Sequence, residues 1–424
     1  MEMSNRKLHP DATVIDGSAL LWTINWPSEG TVNDFVTNVK NRVKKYLEKT
    51  DVYLVFDRYD DFSTKSVARG GRETGVTRTH QLRIETKLPA QNVVLTGVEN
   101  KKQLISIIFG ELIRDRLFHV ECTKGHKLVV TGEQPCPVEI SSEEVKTRHD
   151  LETHHEEADN IIVQQVLKCG AKAVSVISDD TDVFILLLHY YQKANLAIQI
   201  TMESPSQGRV AIDIKGTVKK HAKIVKELLP AHAISGCDTV GAYHGIGKGT
   251  VVKMLKAGHK LSAIGDVDSS HEEVMRQATK FISACYGYPN SKSLSEARLF
   301  VWAKKNGKGV TSAPKLSAIP PTTEAFQENV KRAHYQAIIW RSLDSDDVPD
   351  LDPENFGWKK DMSTKSLTPV AIPESVPLAP DYLLKLICCG CSSQNPCSKR
   401  CSCKSAGYPK CSVFCACYSV GCSR

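Results

Sequence analysis

Apolar runs of strand type alternate with stretches of helical periodicity along the first half of this 424-residue chain. Between the first two runs, DFVTNVKNRVKKYLEK has apolar residues at helical spacing, and HHEEADNIIVQQVLKCG has them before the fourth. Alternating strands and helices with uniformly apolar strands predict a mostly parallel twisted sheet, covered by helices on both faces. The strand candidates are ATVID (12–16), DVYLVFD (51–57), KLVVTG (127–132), KAVSVIS (172–178) and LAIQITM (196–202).

Beyond residue 263 the pattern is mainly helical, with HEEVMRQATKFISACYG, SLSEARLFVWAKK and TEAFQENVKRAHYQAIIWRSL as three helix candidates. The apolar stretch VFILLLHYY before this region fits a buried strand or a buried helix equally well. After residue 344 the chain is rich in Pro, Asp and Ser without sustained periodicity, which is typical of a linker or an extended strap. We therefore expect a core domain (1–262), a helical extension (263–343), a linker (344–384) and a Cys-rich module (385–424).

Acidic residues stand where the predicted strands end. Asp16 and Asp57 close two strands, and Asp179, Asp180 and Asp182 follow a third. In parallel sheets, functional groups gather beyond the carboxyl ends of the strands. Carboxylates in one crevice repel each other unless cations lie between them, and their hard oxygens suit Mg²⁺ or Mn²⁺. Two further acidic sites, HEEAD (155–159) and Asp238 before a Gly-rich turn, extend the set.

Each acid taken alone also fits a structural role, because turns and the first turns of helices favour Asp and Glu. Acids at several strand ends are harder to attribute to such roles. The sequence therefore predicts a divalent-metal site of the kind that hydrolyses phosphodiesters.

The order of these motifs resembles the flap endonuclease branch of the PIN-like nucleases. The matching motifs are IDG, VFD, E-A-D, S-D-D-T-D and G-C-D followed by GIGKGT, over roughly residues 10–340. The chain departs from the family at Asp159, where most flap endonucleases have Glu, and in a divergent segment from Phe62 to Lys172. The resemblance implies a PIN-like core with a helix–turn–helix region and two Mg²⁺ or Mn²⁺ ions. The implied ligands, which we also predict as catalytic residues, are Asp16, Asp57, Glu157, Asp159, Asp180, Asp182 and Asp238.

The same resemblance implies two-metal hydrolysis. One cation lowers the pKa of the attacking water and the other stabilises the leaving oxygen, so no side-chain nucleophile is required. The basic stretch after Asp57 corresponds to a helical gateway through which relatives pass single strands. Lys65 and Arg72 fall about where that gateway has its Lys and Arg, which implies a role in the transition state or in threading. A flexible, solvated loop is the alternative for this stretch.

The turn HGIGKGT (244–250) leads into the helix candidate TVVKMLKAG. Backbone N–H groups at such a turn are suited to bind phosphate, and relatives grip the duplex backbone here, whereas a plain turn between helices is the alternative. The implied contacts are Gly245, Gly247, Lys248, Gly249 and Thr250. A further cluster, His149, His154 and His155, could suggest zinc, but we favour surface or capping histidines there.

Ten of the fifteen cysteines lie between Cys388 and Cys422. Dense thiolates in a reducing compartment favour shared Zn²⁺, with disulfides as the alternative. The spacing C-x-C-x₅-C-x₃-C-x-C-x₇-C-x₃-C-x-C-x₄-C resembles the CXC domain of tesmin/TSO1-like proteins. That resemblance implies about three Zn²⁺ ions and DNA binding. The implied ligands are Cys389, Cys391, Cys397, Cys401, Cys403, Cys411, Cys415, Cys417 and Cys422.

The charge of the chain supports a polyanionic partner. The formal net charge is +7, and residues 385–424 contain six basic residues and no Asp or Glu. Lys399, Arg400, Lys404 and Lys410 are the predicted backbone contacts of this module. We expect DNA as the partner, with RNA as the alternative. No apolar run reaches the roughly 18 residues of a membrane span, and no signal-peptide stretch is evident, so we expect a nuclear or otherwise intracellular location.

These features predict a metal-dependent, structure-directed endo- or exonuclease that a zinc module tethers to DNA. Two alternatives remain open. The protein could be a nucleic-acid-binding protein that kept the fold without turnover. It could also be a transcription regulator that acts through its Cys-rich tail.

Overall fold

The computed structural model divides into two compact units, Met1–Ala371 and Ile372–Arg424. The described residues of the first unit are 1–3, 9–65, 78–122, 125–206, 208–305, 315–345 and 350–371. Those of the second unit are 372–373, 375–376, 388–391, 397, 401–405, 411 and 415–417.

An eight-stranded sheet with the order β5-β4-β3-β2-β1-β6-β7-β8 forms the centre of the first unit. The five middle strands are parallel, and β4, β5 and β8 add antiparallel edges. The strands are β1 (Ala12–Asp16), β2 (Asp51–Val55), β3 (Leu128–Thr131), β4 (Val138–Ile140), β5 (Val145–Thr147), β6 (Ala173–Ile177), β7 (Gln199–Glu203) and β8 (Ile212–Asp213).

Successive residues of the middle strands enter two different cores. In β2, Val52 and Leu54 pack into one apolar cluster, whereas Tyr53 and Val55 pack into the other. This follows from the pleat, because neighbouring side chains in a strand point to opposite faces. Both faces of the sheet must therefore be covered, which explains why the strands are apolar throughout.

Helices cover both faces. The helices α1–α5 belong to the N-terminal part of the chain, and α6–α13 follow it. Their bounds are α1 (Gly17–Thr23), α2 (Val32–Leu47), α3 (Gln91–Thr96), α4 (Val98–Arg114), α5 (Arg116–Cys122), α6 (Ala158–Lys168), α7 (Thr181–Lys193), α8 (Ile214–Lys220), α9 (Val225–Ile234), α10 (Lys248–Lys256), α11 (His271–Cys285), α12 (Leu294–Lys305) and α13 (Thr323–Arg341).

The predicted fold class, a mostly parallel α/β sheet with helices on both faces, is confirmed by this architecture. The ambiguous run VFILLLHYY is helical and lies within α7. Residues on the predicted helical extension, including Phe281 and Trp340, pack into the same core as the strand residues Val14 and Val176. None of the described helices is long and apolar enough to cross a membrane.

The segment predicted as a linker contains secondary structure in its described part. A 3₁₀ helix (Pro353–Phe356) precedes a hairpin of β9 (Trp358–Asp361) and β10 (Ser366–Pro369). Arg332 on α13 fixes it by donating to the carbonyl oxygens of Gly357 (2.9 Å) and Val370 (2.8 Å). Because β9 and β10 contain few apolar residues, the sequence has no alternation of apolar and polar residues there that would predict strands. The bounds of the four predicted segments stay predictions.

Candidate metal centre and nucleic-acid groove

Three of the predicted acids stand at the junctions between strands and helices. Asp16 ends β1 and accepts a hydrogen bond from the Ala19 N–H (3.0 Å) as the N-cap of α1. Asp180 caps α7 by accepting from the Asp182 N–H (2.7 Å). Asp57, just beyond β2, accepts from the N–H of Ala158 at the start of α6 (3.0 Å). Since β1, β2 and β6 are parallel neighbours, these caps meet at one edge of the sheet.

The next three acids lie at the starts of α6 and α7. Glu157 is the N-cap residue of α6 without a side-chain cap bond, and Asp159 lies in the first turn of that helix. Asp182 lies in the first turn of α7, where its Oδ1 is 2.7 Å from Nε2 of His232. All three side chains are buried.

The structure brings five of the seven predicted acids into one groove and places Asp182 and Glu157 beside them. Oxygens of Asp159, Asp180 and Asp182 all lie within 4.8 Å of one another. Asp16, Asp57 and Asp238 line the same groove of about 210 Å³ with Asp159 and Asp180. Glu157 is linked to Asp159 through Lys65, because the Lys65 ammonium lies at ion-pair distance from both carboxylates. The acids come from five separate segments of the chain.

Lys65 is the internal counter-ion of this groove. Its Nζ donates to Asp159 Oδ2 (2.7 Å) and lies 3.5 Å from Glu157 Oε2 and 3.9 Å from Asp238 Oδ2. Burial alone would lower the pKa of Lys65, but the Asp159 and Glu157 carboxylates raise the pKa well above its ordinary value. Lys65 is therefore a fixed positive charge beside the acids.

A second lysine, Lys101 on α4, lies 4.0 Å from Asp57 Oδ2 and lines the groove. Sequence reasoning missed it because it lies in the divergent segment, where no motif indicates which residue faces the acids. Trp22 on α1 was missed too. Trp22 lines the groove and is 46% exposed, although the apolar residues around it in the sequence predict a buried side chain.

Burial moves the pKa values of several of these acids above their ordinary values. It raises the pKa of Asp16 to about 6, that of Glu157 to about 7 and that of Asp180 to about 8, where Asp159 and Asp182 add repulsion. The pKa of Asp159 is raised as well, mainly by burial. Asp182 differs: burial opposes ionisation there, but the hydrogen bond and charge of His232 lower its pKa. Ionising the whole group requires nearby positive charge.

The donor set fits divalent cations that prefer oxygen. The groups are carboxylates only, which is the ligand type of Mg²⁺ and Mn²⁺. Glu157 Oε2 is buried and makes no hydrogen bond to the described residues, although Lys65 lies at ion-pair distance. A buried oxygen of this kind is available as a ligand.

Two neighbouring acids have other roles. Asp179 accepts from Ser204 Oγ (2.8 Å) and pairs with Arg209 Nη1 (2.9 Å), which lie outside the group of seven acids. Glu156 uses its carbonyl oxygen to accept from the N–H of Arg58 (2.9 Å). The Asp179 carboxylate is therefore engaged away from the seven predicted ligands.

The predicted phosphate turn lies before α10. Gly245 has φ +79°, which glycine adopts without strain, and Gly247 is the N-cap residue without a side-chain cap. The first N–H groups of α10 are thus free of a side-chain cap. Lys248 turns inward: its Nζ donates to Gly236 O (2.7 Å), Ser235 Oγ (2.9 Å) and His232 O (3.1 Å).

His149, His154 and His155 do not form a common ligand group among the described residues, in line with the preference for a role other than zinc binding. His149 lies with Cys136 and Glu152 instead. His155 is buried, and burial lowers its pKa to about 4. Of the remaining predicted site residues, Arg72, Lys399, Arg400, Lys410 and Cys422 lie outside the described residues.

The second unit contains a cluster of thiols. No disulfide joins the described cysteines of this unit, and the sulfurs of neighbouring pairs are 3.2–3.9 Å apart, well beyond a disulfide bond. Three overlapping groups of four could each hold a metal ion, and all three include Cys389. Lys404 is exposed beside them in the short helix α14 (Ser402–Ser405). The groups are Cys389, Cys391, Cys397 and Cys401; Cys389, Cys397, Cys411 and Cys417; and Cys389, Cys401, Cys403 and Cys411.

Comparisons with solved structures return DNA-bound nucleases. One is a bacteriophage T5 flap endonuclease, in a pseudo-enzyme–product complex with DNA and metal ions. It is 12% identical, with a TM-score of 0.40, over 78% of this chain and 90% of that chain. Two others are the catalytic core of Rad2 in complex with a DNA substrate. They are 12% and 13% identical, with TM-scores of 0.35 and 0.34, over 78% of this chain and 89% of those chains.

No protein-family model and no curated protein sequence matches the chain. Identities of 12–13% and TM-scores of 0.34–0.40 assign no function to this chain.

Proposed function

We propose that this protein is a divalent-metal-dependent, structure-directed nuclease with a PIN-like core. The observation that carries the proposal is the convergence of seven acids from five chain segments, with oxygens of Asp159, Asp180 and Asp182 within 4.8 Å of one another. Burying so many carboxylates together is costly unless cations neutralise them. A site of this kind is suited to phosphodiester hydrolysis.

We propose that two sets of these acids would each bind one of two metal ions. Asp159, Asp180 and Asp182 form one close set, and Asp16, Asp57 and Asp238 line the adjoining part of the groove. When bound, two such ions supply an activated water and stabilise the leaving oxygen of an in-line displacement. His232 holds Asp182 in place through the 2.7 Å contact, as partners behind metal ligands commonly do.

Positive groups beside the acids would receive the substrate phosphates. Lys65 and Lys101 flank the carboxylates, and we propose that they orient the scissile phosphate. The backbone N–H groups at the start of α10 are suited to a second phosphate along the strand, since a helix N-terminus favours anions. The inward contacts of Lys248 leave its backbone amide, rather than its ammonium, for this purpose.

DNA is the proposed partner, with RNA as the alternative. We propose that the Cys-rich unit binds about three Zn²⁺ ions and tethers the protein to DNA in the nucleus. The support is the sharing of Cys389 among three four-cysteine groups, because nine thiolates can give three tetrahedral ions four ligands each only if some thiolates bridge two ions. The basic side chains of residues 385–424 would contact the DNA backbone.

A cleavage assay tests the central proposal. The purified chain is incubated with Mg²⁺ or Mn²⁺ and flap, nicked, single-stranded and RNA substrates, beside the variant Asp180→Asn/Asp182→Asn. We expect metal-dependent cleavage of at least one substrate by the wild type and loss of at least about 10³-fold in the variant. A variant Asp179→Asn serves as matched control and should keep activity, because Asp179 binds Ser204 and Arg209 instead. Equal background cleavage by wild type and double variant would refute the proposal.

A non-catalytic DNA-binding protein is the second candidate, and one observation favours it. The Lys65 ammonium already neutralises part of the acidic group without a metal, through Asp159 and Glu157. Calorimetric titration with Mn²⁺ separates the two candidates. The nuclease requires Mn²⁺ binding that Asp180→Asn weakens, whereas the second candidate requires DNA binding without Mn²⁺ binding or cleavage.

A further inference from the structure

Three potential ligands of different chemistry meet on the surface beside the antiparallel edge of the sheet. Cys136 Sγ, His149 Nδ1 and a carboxylate oxygen of Glu152 all lie within 4.8 Å of one another. Sulfur, imidazole nitrogen and carboxylate oxygen together are the ligands of zinc in proteins. We propose that these residues form a Zn²⁺ site, separate from the acidic groove and from the Cys-rich unit.

The backbone holds Cys136 rigidly in position. It lies between Pro135 and Pro137, and proline fixes the backbone torsion φ at each. The carbonyl oxygen of Pro137 accepts from Arg148 N (2.9 Å), and that of Pro135 accepts from Thr153 N (3.2 Å). These two bonds fasten the cysteine to the segment that carries the other ligands.

A buried arginine strengthens the same junction. The guanidinium of Arg58 donates through Nη2 to the carbonyl oxygens of Gln134 and Pro135, both at 2.9 Å, and through Nη1 to His155 O at 3.3 Å. The arginine thus joins the cysteine loop to the histidine segment. Its charge lowers the pKa of the Cys136 thiol, but burial and Glu152 outweigh that effect.

His149 and Glu152 are presented on one face. A 3₁₀ helix spans His149–Leu151, and the Glu152 N–H donates to the His149 carbonyl oxygen (3.2 Å). Side chains three residues apart eclipse each other in this type of helix. The spacing H-x-x-E on a 3₁₀ turn therefore directs both ligands to the same side, towards Cys136.

The measured separation suits one shared ion. Cys136 Sγ lies 3.6 Å from His149 Nδ1. Tetrahedral Zn²⁺ with Zn–S of about 2.3 Å and Zn–N of about 2.05 Å places a sulfur and a nitrogen ligand roughly 3.5 Å apart. Cys136 is partly buried while His149 and Glu152 are exposed, so an ion can enter from solvent and keep a fourth position for water.

A nucleophilic cysteine is the main competing use of a Cys–His pair. Such a cysteine needs a lowered pKa. Here burial, and then the Glu152 carboxylate, raise the pKa of the Cys136 thiol. A carboxylate beside the thiol is unfavourable for a free thiolate but natural for a ligand of the same cation. The site would clamp the chain just before Glu157 and Asp159, although the inference does not depend on the proposed nuclease function.

The zinc content of the full chain tests the proposal. Each protein is loaded with Zn²⁺ and dialysed against metal-free buffer, and its bound zinc is counted by inductively coupled plasma mass spectrometry. We expect Cys136→Ser, His149→Ala and Glu152→Gln each to hold one Zn²⁺ per chain fewer than the wild type, above the constant contribution of the Cys-rich unit. Cys169→Ser, His154→Ala and Glu143→Gln are matched controls from outside the cluster and should equal the wild type.

Hydrogen exchange supplies a local readout. Adding Zn²⁺ should slow exchange in residues 133–153 of the wild type but not of His149→Ala. If Cys136→Ser fails to fold, the other two variants decide, because both alter exposed side chains. The proposal is overturned if all variants retain the zinc content of the wild type, or if the control variants lose an ion as well.

Discussion

At the scale of single residues, the contact between His232 and Asp182 fixes the orientation of one of the predicted metal ligands. The imidazole lies 2.7 Å from the carboxylate and stacks on Trp340 with ring centroids 5.8 Å apart. Both the histidine and the tryptophan are buried. The ring can therefore hold Asp182 in one orientation, whereas the Asp180 carboxylate accepts a hydrogen bond from the backbone N–H of Asp182 (2.7 Å).

Removing this support should weaken metal binding. We expect His232→Ala to lower the affinity for Mn²⁺ by about 10–100-fold, because partners behind metal ligands contribute about that much. His232→Gln should recover part of it by restoring a donor to Asp182. Calorimetric Mn²⁺ titration gives the affinities, with His259→Ala as a control histidine outside the groove. Unchanged affinity in His232→Ala would contradict the supporting role.

Trp22 should contribute to substrate binding rather than to metal binding. It is 46% exposed at the groove, and stacking of a base on an aromatic ring is worth about 1–3 kcal/mol. We expect Trp22→Ala to raise KM for DNA about tenfold or more with kcat little changed. Trp302→Ala is the matched control, since Trp302 is similarly exposed (41%) but belongs to α12. Equal effects in both variants would rule out a specific stacking role.

The acids could be predicted from the sequence because strand ends determine their position. Asp16 ends β1 and Asp180 lies three residues beyond the end of β6, and parallel pairing brings these strand ends together. Lys101 and Trp22 could not be predicted, since their helices carry no motif. Cys136 and Glu152 are sixteen residues apart in the sequence, and only the hairpin between them brings their side chains together.

At the scale of elements, the turn from β1 into α1 depends on a glycine. A Cβ atom on Gly17 would lie 2.4 Å from Cε1 of Phe56, and Phe56 is buried next to Asp57. No side chain fits there unless the aromatic ring moves. The motifs IDG and VFD are therefore coupled through packing, and each keeps the acid of the other in place.

Gly17→Ala should therefore destabilise the fold. Overpacking of this kind costs about 1–3 kcal/mol, and moving Phe56 should also displace Asp57 and reduce cleavage. Gly110→Ala is the matched control within α4. There the added Cβ meets only the flexible end of Arg114, and helix propensity favours alanine by up to about 1 kcal/mol. Urea unfolding measures both, and the interpretation fails if Gly17→Ala is as stable as Gly110→Ala.

The elements differ in how well the sequence predicts them. Because successive side chains of β2 are buried on opposite faces of the sheet, the strand is almost uniformly apolar, and its sequence predicts it. The helix α7 is buried nearly all round, which removes the helical period and left VFILLLHYY ambiguous. The hairpin of β9 and β10 is mainly polar and is fixed by Arg332 from a distant helix, so local sequence contains no signal for it.

At the scale of the whole molecule, the two units differ in what forms their cores. The first unit has an apolar core of its own, whereas the described cysteines are the core of the second. A small unit with such a core depends on metal for folding. Zinc removal should therefore affect the two units very differently.

We expect a strong zinc chelator to unfold the second unit selectively. Amide exchange in residues 388–417 should become fast, while β3 (Leu128–Thr131) at the centre of the first unit should stay protected. Exchange measured by mass spectrometry on the full chain separates the two, and re-addition of Zn²⁺ should restore protection. Protection of the cysteine segment that survives chelation would contradict the zinc proposal.

The buried acids should make the stability of the molecule depend on pH. Without Mg²⁺ or Mn²⁺, the pKa values of Asp16, Glu157 and Asp180 are raised by burial to about 6, 7 and 8. Unfolded carboxyl groups titrate near about 4, so the folded chain binds these protons more tightly. Their stabilising contribution is complete below about pH 4 and is lost as the pH rises through about 6 to 8. Asp182 has the opposite sign, because its pKa is lowered, and its contribution disappears only in acid.

Calorimetry of the zinc-loaded chain without Mg²⁺ or Mn²⁺ should therefore show Tm falling between about pH 5 and pH 8. Mn²⁺ should reverse much of the fall at the upper end, because the ion replaces the lost protons as the source of positive charge. Asp180→Asn should flatten the profile, since an amide has no proton to lose there, and Asp179→Asn should leave its shape unchanged. A Tm that rises steadily over this range would mean that Lys65 alone neutralises the acids, and the groove would then need no divalent ion to stay folded.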